Sequence, residues 1–176
     1  AKYPSKNDKM RTRMLYERGG KRNESLDQKT QELLRKISSY LESRADKIKP
    51  YSAEEYFTLL LQKGLEARME GNYGIAAGLV VRQAGTEVVV FGQNTLVSDQ
   101  DPHGHAEMNA VKAARLVLQS PPQVVLEMIA NGRLIMRQAP HTHDERFLVT
   151  TLEPCPMCTV GATINADVKR VLVGTE

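Results

Sequence analysis

The two cysteines of this chain lie three residues apart in the stretch TLEPCPMC, residues 151–158, and no other thiol occurs in its 176 residues. Two cysteines do not make a disulfide framework in a chain of this length. A Cys-x-x-Cys pair is typical of a redox pair or of half a metal site, and it also occurs as two small buried apolar side chains. The spacing of Cys155 and Cys158 leaves these three interpretations open.

A second group of ionisable side chains lies in the stretch HGHAEMNA, residues 103–110. Both stretches fall where a helix is expected to begin, and the positive partial charge of a helix N-terminus favours the thiolates that zinc binds. His105, Cys155 and Cys158 make three ligands. A structural zinc site normally closes with four protein ligands, whereas a catalytic site keeps one position for water. We therefore predict one Zn²⁺ per chain at an open, three-ligand site.

Glu107 follows His105 by two residues and is a poor candidate for a fourth ligand. A carboxylate beside a metal-activated water is placed to move that water's protons. The spacing H-x-E followed by P-C-x-x-C is the signature of the zinc deaminases. The combined pattern favours a metal site over a redox pair and predicts Glu107 as the catalytic acid/base.

The elements that must position these side chains follow from the hydrophobic pattern. It predicts an amphipathic helix at 26–48, ended by Pro50, and a second helix to about residue 70 that begins with a capping box of Ser52 and Glu55. Two β-rich segments around a Gly-containing loop predict a hairpin. We expect one further helix in the poorly marked segment 121–145. The predicted strands are 75–81, 86–92, 146–151 and 168–174, and the predicted helices beyond the hairpin are 105–119, 124–130 and 156–167.

Strands separated by helices favour an α/β fold in which helices cover both faces of a mixed, partly parallel central sheet. We divide the chain into a basic N-terminal helical extension, 1–50, and a domain at 51–176 that carries both motifs. The extension has 14 Lys and Arg against 7 Asp and Glu, a net charge of +7, while the rest has 10 against 14, a net of −4. A basic arm indicates either RNA contact or simply a solvated surface.

In these residues and in the motifs given at the end of this paragraph, the chain resembles the cytidine-deaminase-like superfamily. Within it, the chain is most similar to the branch of guanine, cytosine and tRNA-adenosine deaminases. The resemblance covers about residues 52–176. It implies a three-layer α-β-α fold, hydrolytic deamination with Glu107 as the proton carrier, and substrate contacts from the Asn94 side chain and the Ala106 backbone. Asn94 also suits a loop-capping position. The motifs that carry the resemblance are FGQN (91–94), DP (101–102), HAE (105–107), TLEPCPMC (151–158) and VKRVLVG (168–174).

Three features depart from that branch. His103 and Gly104 stand where small residues are usual, and His103 is either a substrate contact or a loop residue. The segment between the two motifs is long and contains His141 and His143, which suit a second metal less well than a solvated loop. Family members usually continue through another strand and a C-terminal helix, so we expect either a missing C-terminal part or compensation by the helix at 26–48.

We therefore expect a zinc-dependent hydrolytic deaminase of a nucleobase or nucleoside with a guanine-, adenine- or cytosine-type amine, releasing ammonia. A tRNA-adenosine deaminase is the first alternative. A non-catalytic, zinc-stabilised RNA-binding subunit and a thiol redox protein are alternatives of other classes. The resemblance implies a homo-oligomer. The composition predicts no membrane span, and the first twenty residues lack the apolar core of a secretory signal, which favours a cytoplasmic protein unless a leader was removed.

Overall fold

The structure is a computed structural model, and it describes residues 24–44, 47–139 and 143–174. Five helices and five strands are present in these ranges. The helices are α1 (Glu24–Arg44), α2 (Ala53–Met69), α3 (Ala106–Gln119), α4 (Pro122–Ala130) and α5 (Pro156–Ala166). The strands are β1 (Ala76–Gln83), β2 (Thr86–Gln93), β3 (Leu134–Gln138), β4 (Glu145–Thr150) and β5 (Arg170–Val173).

The five strands form one mixed sheet in the order β3-β2-β1-β4-β5. β1 is antiparallel to both β2 and β4, β2 is antiparallel to β3, and β4 is parallel to β5. The register pairs Ala77 with Thr150 at one end of the sheet and Arg82 with Glu145 at the other. The N-terminus of β1 and the C-terminus of β4 therefore lie at the same end of the sheet, and the loops that carry the candidate site leave from that end.

Helices cover both faces of the sheet, so the predicted three-layer α-β-α fold is confirmed. α2 packs on one face over a core that includes Leu60, Val80 and Phe147, and α1 packs against α2. α3 and α5 pack on the other face over a core that includes Leu79 and Leu148. The alternation of Phe147 and Leu148 between the two cores is the period-2 pattern expected of a strand buried on both faces.

One glycine permits the close approach of α3 to β2. A Cβ atom at Gly92 would lie 2.1 Å from the carbonyl oxygen of Ala106 and 2.2 Å from the amide nitrogen of Ala110. No side chain fits such a gap, so glycine at position 92 lets the first turn of α3 rest directly on the sheet. This contact fixes the position of the first turn of α3 relative to β2.

Most of the predicted elements are present. Ser52 caps α2, and its Oγ accepts a hydrogen bond from the Glu55 amide at 3.2 Å. The first helix ends at Arg44 and does not extend to residue 48. The segment 121–145 holds the expected helix α4 and, in addition, the unpredicted strand β3. Among the described residues no helix is long and apolar enough to cross a membrane.

Candidate metal centre and active site

The loop between β2 and α3 delivers His105 to the start of a helix. It closes on itself, since the Thr95 amide donates to the Gly104 carbonyl at 2.8 Å. Asn109 holds it from α3, donating from Nδ2 to the Gln93 carbonyl at 2.8 Å. His105 then occupies the N-cap position of α3 with an extended backbone, φ −72° and ψ 142°. Its side chain makes no capping hydrogen bond, which leaves the ring nitrogens for another ligand.

The second half of the site is the start of α5. Cys155 is the N-cap residue of this helix, and Pro156 occupies the first helical turn, where a missing N–H costs nothing. The Cys158 amide donates to the Cys155 sulfur at 3.4 Å. Backbone donors at a helix N-terminus stabilise negative charge on the capping atom. The local fold around Cys155 therefore suits a thiolate.

The three predicted ligands come together. One donor atom from each of His105, Cys155 and Cys158 lies within 4.8 Å of the other two. The two sulfurs are 3.4 Å apart, and Cys155 Sγ is 3.9 Å from His105 Nδ1. Two sulfur ligands about 2.3 Å from a tetrahedral zinc ion lie about 3.8 Å apart. The donor types and their separations therefore fit zinc.

Whether Cys158 is a thiol or a thiolate depends on whether a metal ion lies between the three donors. Burial raises the pKa of the Cys158 thiol well above its usual range, and the neighbouring Cys155 thiol and Glu107 carboxylate raise it further. A metal cation has the opposite effect, because a coordinating thiol is deprotonated outright. A buried thiol beside a carboxylate is thus suited to a cation and poorly suited to standing alone.

Glu107 lies in the first turn of α3, beside the donors, with only 4% of its surface exposed. Its Oε2 is 3.6 Å from Cys158 Sγ. Its Oε1 is 3.3 Å from the hydroxyl oxygen of Thr150, the last residue of β4. The carboxylate is therefore held next to the metal donors and is not itself one of the three clustered ligands.

A cavity of about 260 Å³ opens above these residues. Its walls are mainly apolar, and its polar groups come from the candidate site, from one further glutamate and from the hydroxyl of a tyrosine. An apolar pocket with a few convergent polar groups is the usual form of a small-molecule site. The lining residues are Tyr73, Ile75, Asn94, Leu96, His105, Glu107, Leu152, Glu153 and Cys155.

Asn94 stands in the wall of this cavity and is 2% exposed. Its Oδ1 accepts a hydrogen bond from the Leu96 amide at 3.2 Å, which is the loop-capping geometry of an Asx turn. In the described part of the chain its Nδ2 has no such partner. Asn94 therefore caps the loop with one atom and keeps two N–H donors for another group.

Three other candidates occupy different places. The Ala106 side chain is fully buried in the core beneath α3, and Ala106 does not line the cavity, so its backbone contact stays a prediction. His103 is exposed, with its Nδ1 3.4 Å from Asp101 Oδ1, and also lies outside the cavity wall. His143 is exposed, and it belongs to no cluster of metal-binding groups in the described ranges. His141 lies outside the described residues.

Sequence reasoning missed the residues that hold the site in place. Asn72 is fully buried, and its Oδ1 accepts from the amides of Val97 and Ser98 at 3.1 and 2.9 Å. Together with Asn109 it fixes the loop before His105. An asparagine in a breaker cluster such as EGNYG indicates a turn, and nothing local shows that its side chain reaches a loop 25 residues away. Thr150, which contacts Glu107, was missed for the same reason.

The fold and the donor set together define a zinc site of the deaminase type. Residues 50–175 match the family described as "Cytidine and deoxycytidylate deaminase zinc-binding region". The chain belongs to this family. The family's zinc-binding region and the clustered donors His105, Cys155 and Cys158 confirm the prediction of zinc.

Several characterised proteins are similar to this chain. Guanine deaminase of Bacillus subtilis is 30% identical over 119 residues, which are 66% of this chain and 62% of that protein. A tRNA-specific adenosine deaminase of Buchnera aphidicola subsp. Schizaphis graminum is 28% identical over 121 residues, 69% of this chain and 64% of that protein. A tRNA(Ile)-lysidine synthase of Deinococcus deserti is 33% identical over 102 residues, which are 58% of this chain and 15% of that protein. The chain therefore spans less than two thirds of each of these relatives.

Among solved structures, NE0047 in complex with 2,6-diaminopurine superposes with a TM-score of 0.50. The match covers 77% of this chain and 63% of that one at 23% sequence identity. This likeness supports the fold.

Proposed function

We propose that the protein is a zinc-dependent hydrolytic deaminase that converts an exocyclic amine of a nucleobase or nucleoside to a carbonyl and releases ammonia. One observation carries the proposal. Two of the metal donors, His105 and Cys155, line one cavity of about 260 Å³ together with a buried carboxylate and an asparagine amide, and the third donor, Cys158, clusters with them. Donors alone would suit a structural zinc site. A buried carboxylate beside them is what proton transfer requires.

In this reaction a C–O bond forms to a water oxygen and the C–N bond of the amine breaks; of the water's two protons, one ends on the ring nitrogen and one on the departing amine, which leaves as ammonia. Zinc supplies Lewis-acid activation, which lowers the pKa of the attacking water toward neutral pH. Glu107 carries the protons: it takes the water's two protons one after the other and delivers the first to the ring nitrogen and the second to the leaving amine. Glu107 Oε2 lies 3.6 Å from Cys158 Sγ, so the carboxylate is close enough to the metal donors for this transfer.

Substrate contacts are assigned by the same reasoning. The free N–H donors of Asn94 bind an acceptor on the ring, and the Ala106 backbone binds its edge. The apolar walls contributed by Ile75, Leu96 and Leu152 suit the faces of a planar heterocycle. These walls exclude water from the ring, which strengthens each hydrogen bond to it.

A tRNA-adenosine deaminase is the second candidate. Two observations favour it: two of the similar proteins carry tRNA in their names, and the extension at 1–50 is strongly basic. A base in a folded RNA must be turned out of its stack to enter such a cavity. The half-exposed ring of Tyr73 at the cavity wall is placed to stack on a neighbouring base.

A non-catalytic RNA-binding subunit would have the metal donors without a use for the acid. The burial of Glu107 argues against it, because burying a carboxylate that does nothing is costly. A thiol redox protein would use the two sulfurs 3.4 Å apart as a disulfide pair. The nearby His105 nitrogen has no part in that chemistry.

The decisive experiment measures zinc content and ammonia release together. We expect one zinc per chain and ammonia from at least one member of a panel of free bases, nucleosides and tRNA. Turnover of tRNA alone would establish the second candidate. One tightly held zinc without turnover of any member would favour the RNA-binding subunit. A zinc-free pair that oxidises reversibly would exclude the deaminase.

We also propose that the chain divides into an extension at 1–50 and a deaminase domain at 51–176. We propose further that the protein forms a homo-oligomer and is located in the cytoplasm. Light scattering on the purified protein measures the oligomeric state. Deletion of residues 1–50 measures the contribution of the extension: loss of activity on tRNA, with activity on free bases retained, is the result expected if the basic arm binds RNA.

A further inference from the structure

Thr150 is the last residue of β4 and faces α3. It is fully buried, and the sheet fixes its backbone, because β4 lies between β1 and β5. Its carbonyl accepts from the Gly174 amide at 3.0 Å. The side chain of a residue held this firmly has a defined direction, and here it points at the Glu107 carboxylate.

The Thr150 hydroxyl has two oxygen neighbours. Glu107 Oε1 lies 3.3 Å from it, and the carbonyl oxygen of Leu152 lies 2.9 Å from it. Both neighbours are acceptors, while a hydroxyl carries one proton and two lone pairs. The hydroxyl thus joins the catalytic helix α3 to the loop that leads from β4 to Cys155. This one side chain therefore contacts both halves of the site, the start of α3 and the loop before α5.

We propose that Thr150 is a positioning residue that fixes the orientation of the Glu107 carboxylate for the proton transfers of the proposed reaction. In the part of the chain that is described, the carboxylate is otherwise contacted only by the sulfur of Cys158. A sulfur atom is a weak hydrogen-bonding group. Without the hydroxyl, the carboxylate would keep its place in the helix but lose the contact that sets its rotation. This inference rests on the proposed function.

The neighbouring residue is a matched control. Thr151 is of the same type and lies one position further on, but its Oγ1 contacts the backbone of Ala76, 3.1 Å from the amide nitrogen and 3.3 Å from the carbonyl oxygen. It touches neither Glu107 nor a metal donor. Removing either hydroxyl loses two hydrogen bonds near the end of β4, and only the Thr150 hydroxyl has the Glu107 carboxylate as one of its partners.

The test compares Thr150→Val, Thr150→Ser and Thr151→Val on the first substrate of the panel that the parent protein turns over. We expect Thr150→Val to lower kcat by about 10- to 100-fold, the worth of a hydrogen bond to a charged group, with KM within about twofold and zinc content unchanged. Thr150→Ser restores the hydroxyl and should recover kcat to within about threefold. Thr151→Val should leave kcat within about twofold. A Thr150→Val variant with unchanged kcat overturns the inference, as does a serine variant that is as slow as the valine one or a Thr151→Val variant that is equally slow.

A second readout separates this inference from the proposed function. The three variants are loaded with cobalt(II), whose visible absorption bands report the surroundings of the metal. We expect the bands to shift in Thr150→Val and to stay at the parent positions in Thr151→Val. If the parent protein turns over no member of the panel, the proposed function fails, and the cobalt spectra still decide whether Thr150 orders the site. Identical spectra in all variants would overturn its positioning role.

Discussion

Two glutamates are buried at opposite ends and on opposite faces of the central sheet, and they are surrounded in different ways. Glu107 lies at the end where β4 runs into α5, with 4% of its surface exposed. Glu87 lies at the start of β2, on the face covered by α2, and is 0% exposed. The same side chain is thus buried twice in one domain. What differs is the number and kind of partners.

Every oxygen of Glu87 is bound by strong donors. Its Oε2 accepts from the Tyr56 hydroxyl at 2.6 Å and from Arg82 Nε at 2.9 Å, and its Oε1 accepts from Arg137 at 2.7 and 2.9 Å. Burial alone would raise the pKa of Glu87, but the hydrogen bonds from Tyr56, Arg82 and Arg137 outweigh it, so this pKa lies below its ordinary value. Burial and the bond to Glu87 raise the pKa of Tyr56 to about 12. This end of the sheet is built to keep one charge distribution.

Glu107 has a hydroxyl and a sulfur where Glu87 has two guanidinium groups. A carboxylate locked between two arginines cannot exchange protons easily, because its charged form is strongly favoured. Among the described residues, Glu107 has no cationic side chain within hydrogen-bonding distance. Burial alone therefore does not set the chemistry of a carboxylate, whereas the charge of its neighbours does.

Glu107→Gln should have the largest effect and should act on chemistry alone. Removing the proton carrier is expected to lower kcat by about 10²- to 10⁴-fold. Zinc content should stay at one per chain, because Glu107 is not one of the three clustered donors, and the free energy of unfolding should change by no more than about 1 kcal/mol, because glutamine keeps the size of the side chain and one acceptor oxygen. Metal analysis, urea unfolding and ammonia release measure the three quantities. Full activity in this variant would mean that Glu107 is not the acid/base.

Glu87→Gln should have the opposite profile. It removes the counter-charge that Arg82 and Arg137 share. Breaking a buried ion pair costs about 3–5 kcal/mol, and the loss here should lie at the lower end because each arginine keeps a second carboxylate, Glu145 or Glu55. We expect the free energy of unfolding to fall by about 3 kcal/mol in a urea titration, since glutamine keeps one acceptor. In the fraction that remains folded, kcat should match that of the parent protein. A large loss of kcat at full stability would erase the distinction between the two ends.

The two ends also differ in how far sequence alone could predict them. The metal site was predictable because its ligands occur in two short motifs, each at the start of a helix. His105 and Glu107 are two residues apart, and Cys155 and Cys158 are three apart. The alternation of helices and strands then predicts the layers.

The network around Glu87 was not predictable in this way. Arg137 reaches Glu87 across 50 residues of sequence and also makes two hydrogen bonds to Glu55. These partners hold β3 on the edge of the sheet, and no local pattern in LIMRQ announces them. Thr150 and Thr151 are adjacent and identical in type. Which of them meets Glu107 depends on the register of β4, and that register is a property of the assembled sheet.

Acid should weaken the Glu87 end of the sheet. A carboxyl group whose pKa is lower in the folded chain than in the unfolded one contributes stability that is present above its ordinary value of 4.5 and lost as the pH falls through the depressed value. The free energy of unfolding of the parent protein should therefore decrease from about pH 4.5 downward. The Glu87→Gln variant should lose stability less steeply over the same range. Parallel curves for the two proteins would show that Glu87 does not supply this dependence.

The smallest effect is expected at the rim of the same network. Arg170 pairs with Glu145 at 2.6 Å and lies 4.8 Å from the centre of the Phe147 ring, but its side chain is 51% exposed. Water and salt screen such a pair, so Arg170→Ala should lower the free energy of unfolding by no more than about 1 kcal/mol, and the difference should shrink at high ionic strength. Urea titrations at low and high salt measure both values. A loss near 3 kcal/mol that is independent of salt would mean that the strength of this network lies in the number of its ion pairs and not in the completeness with which the buried charge of Glu87 is surrounded.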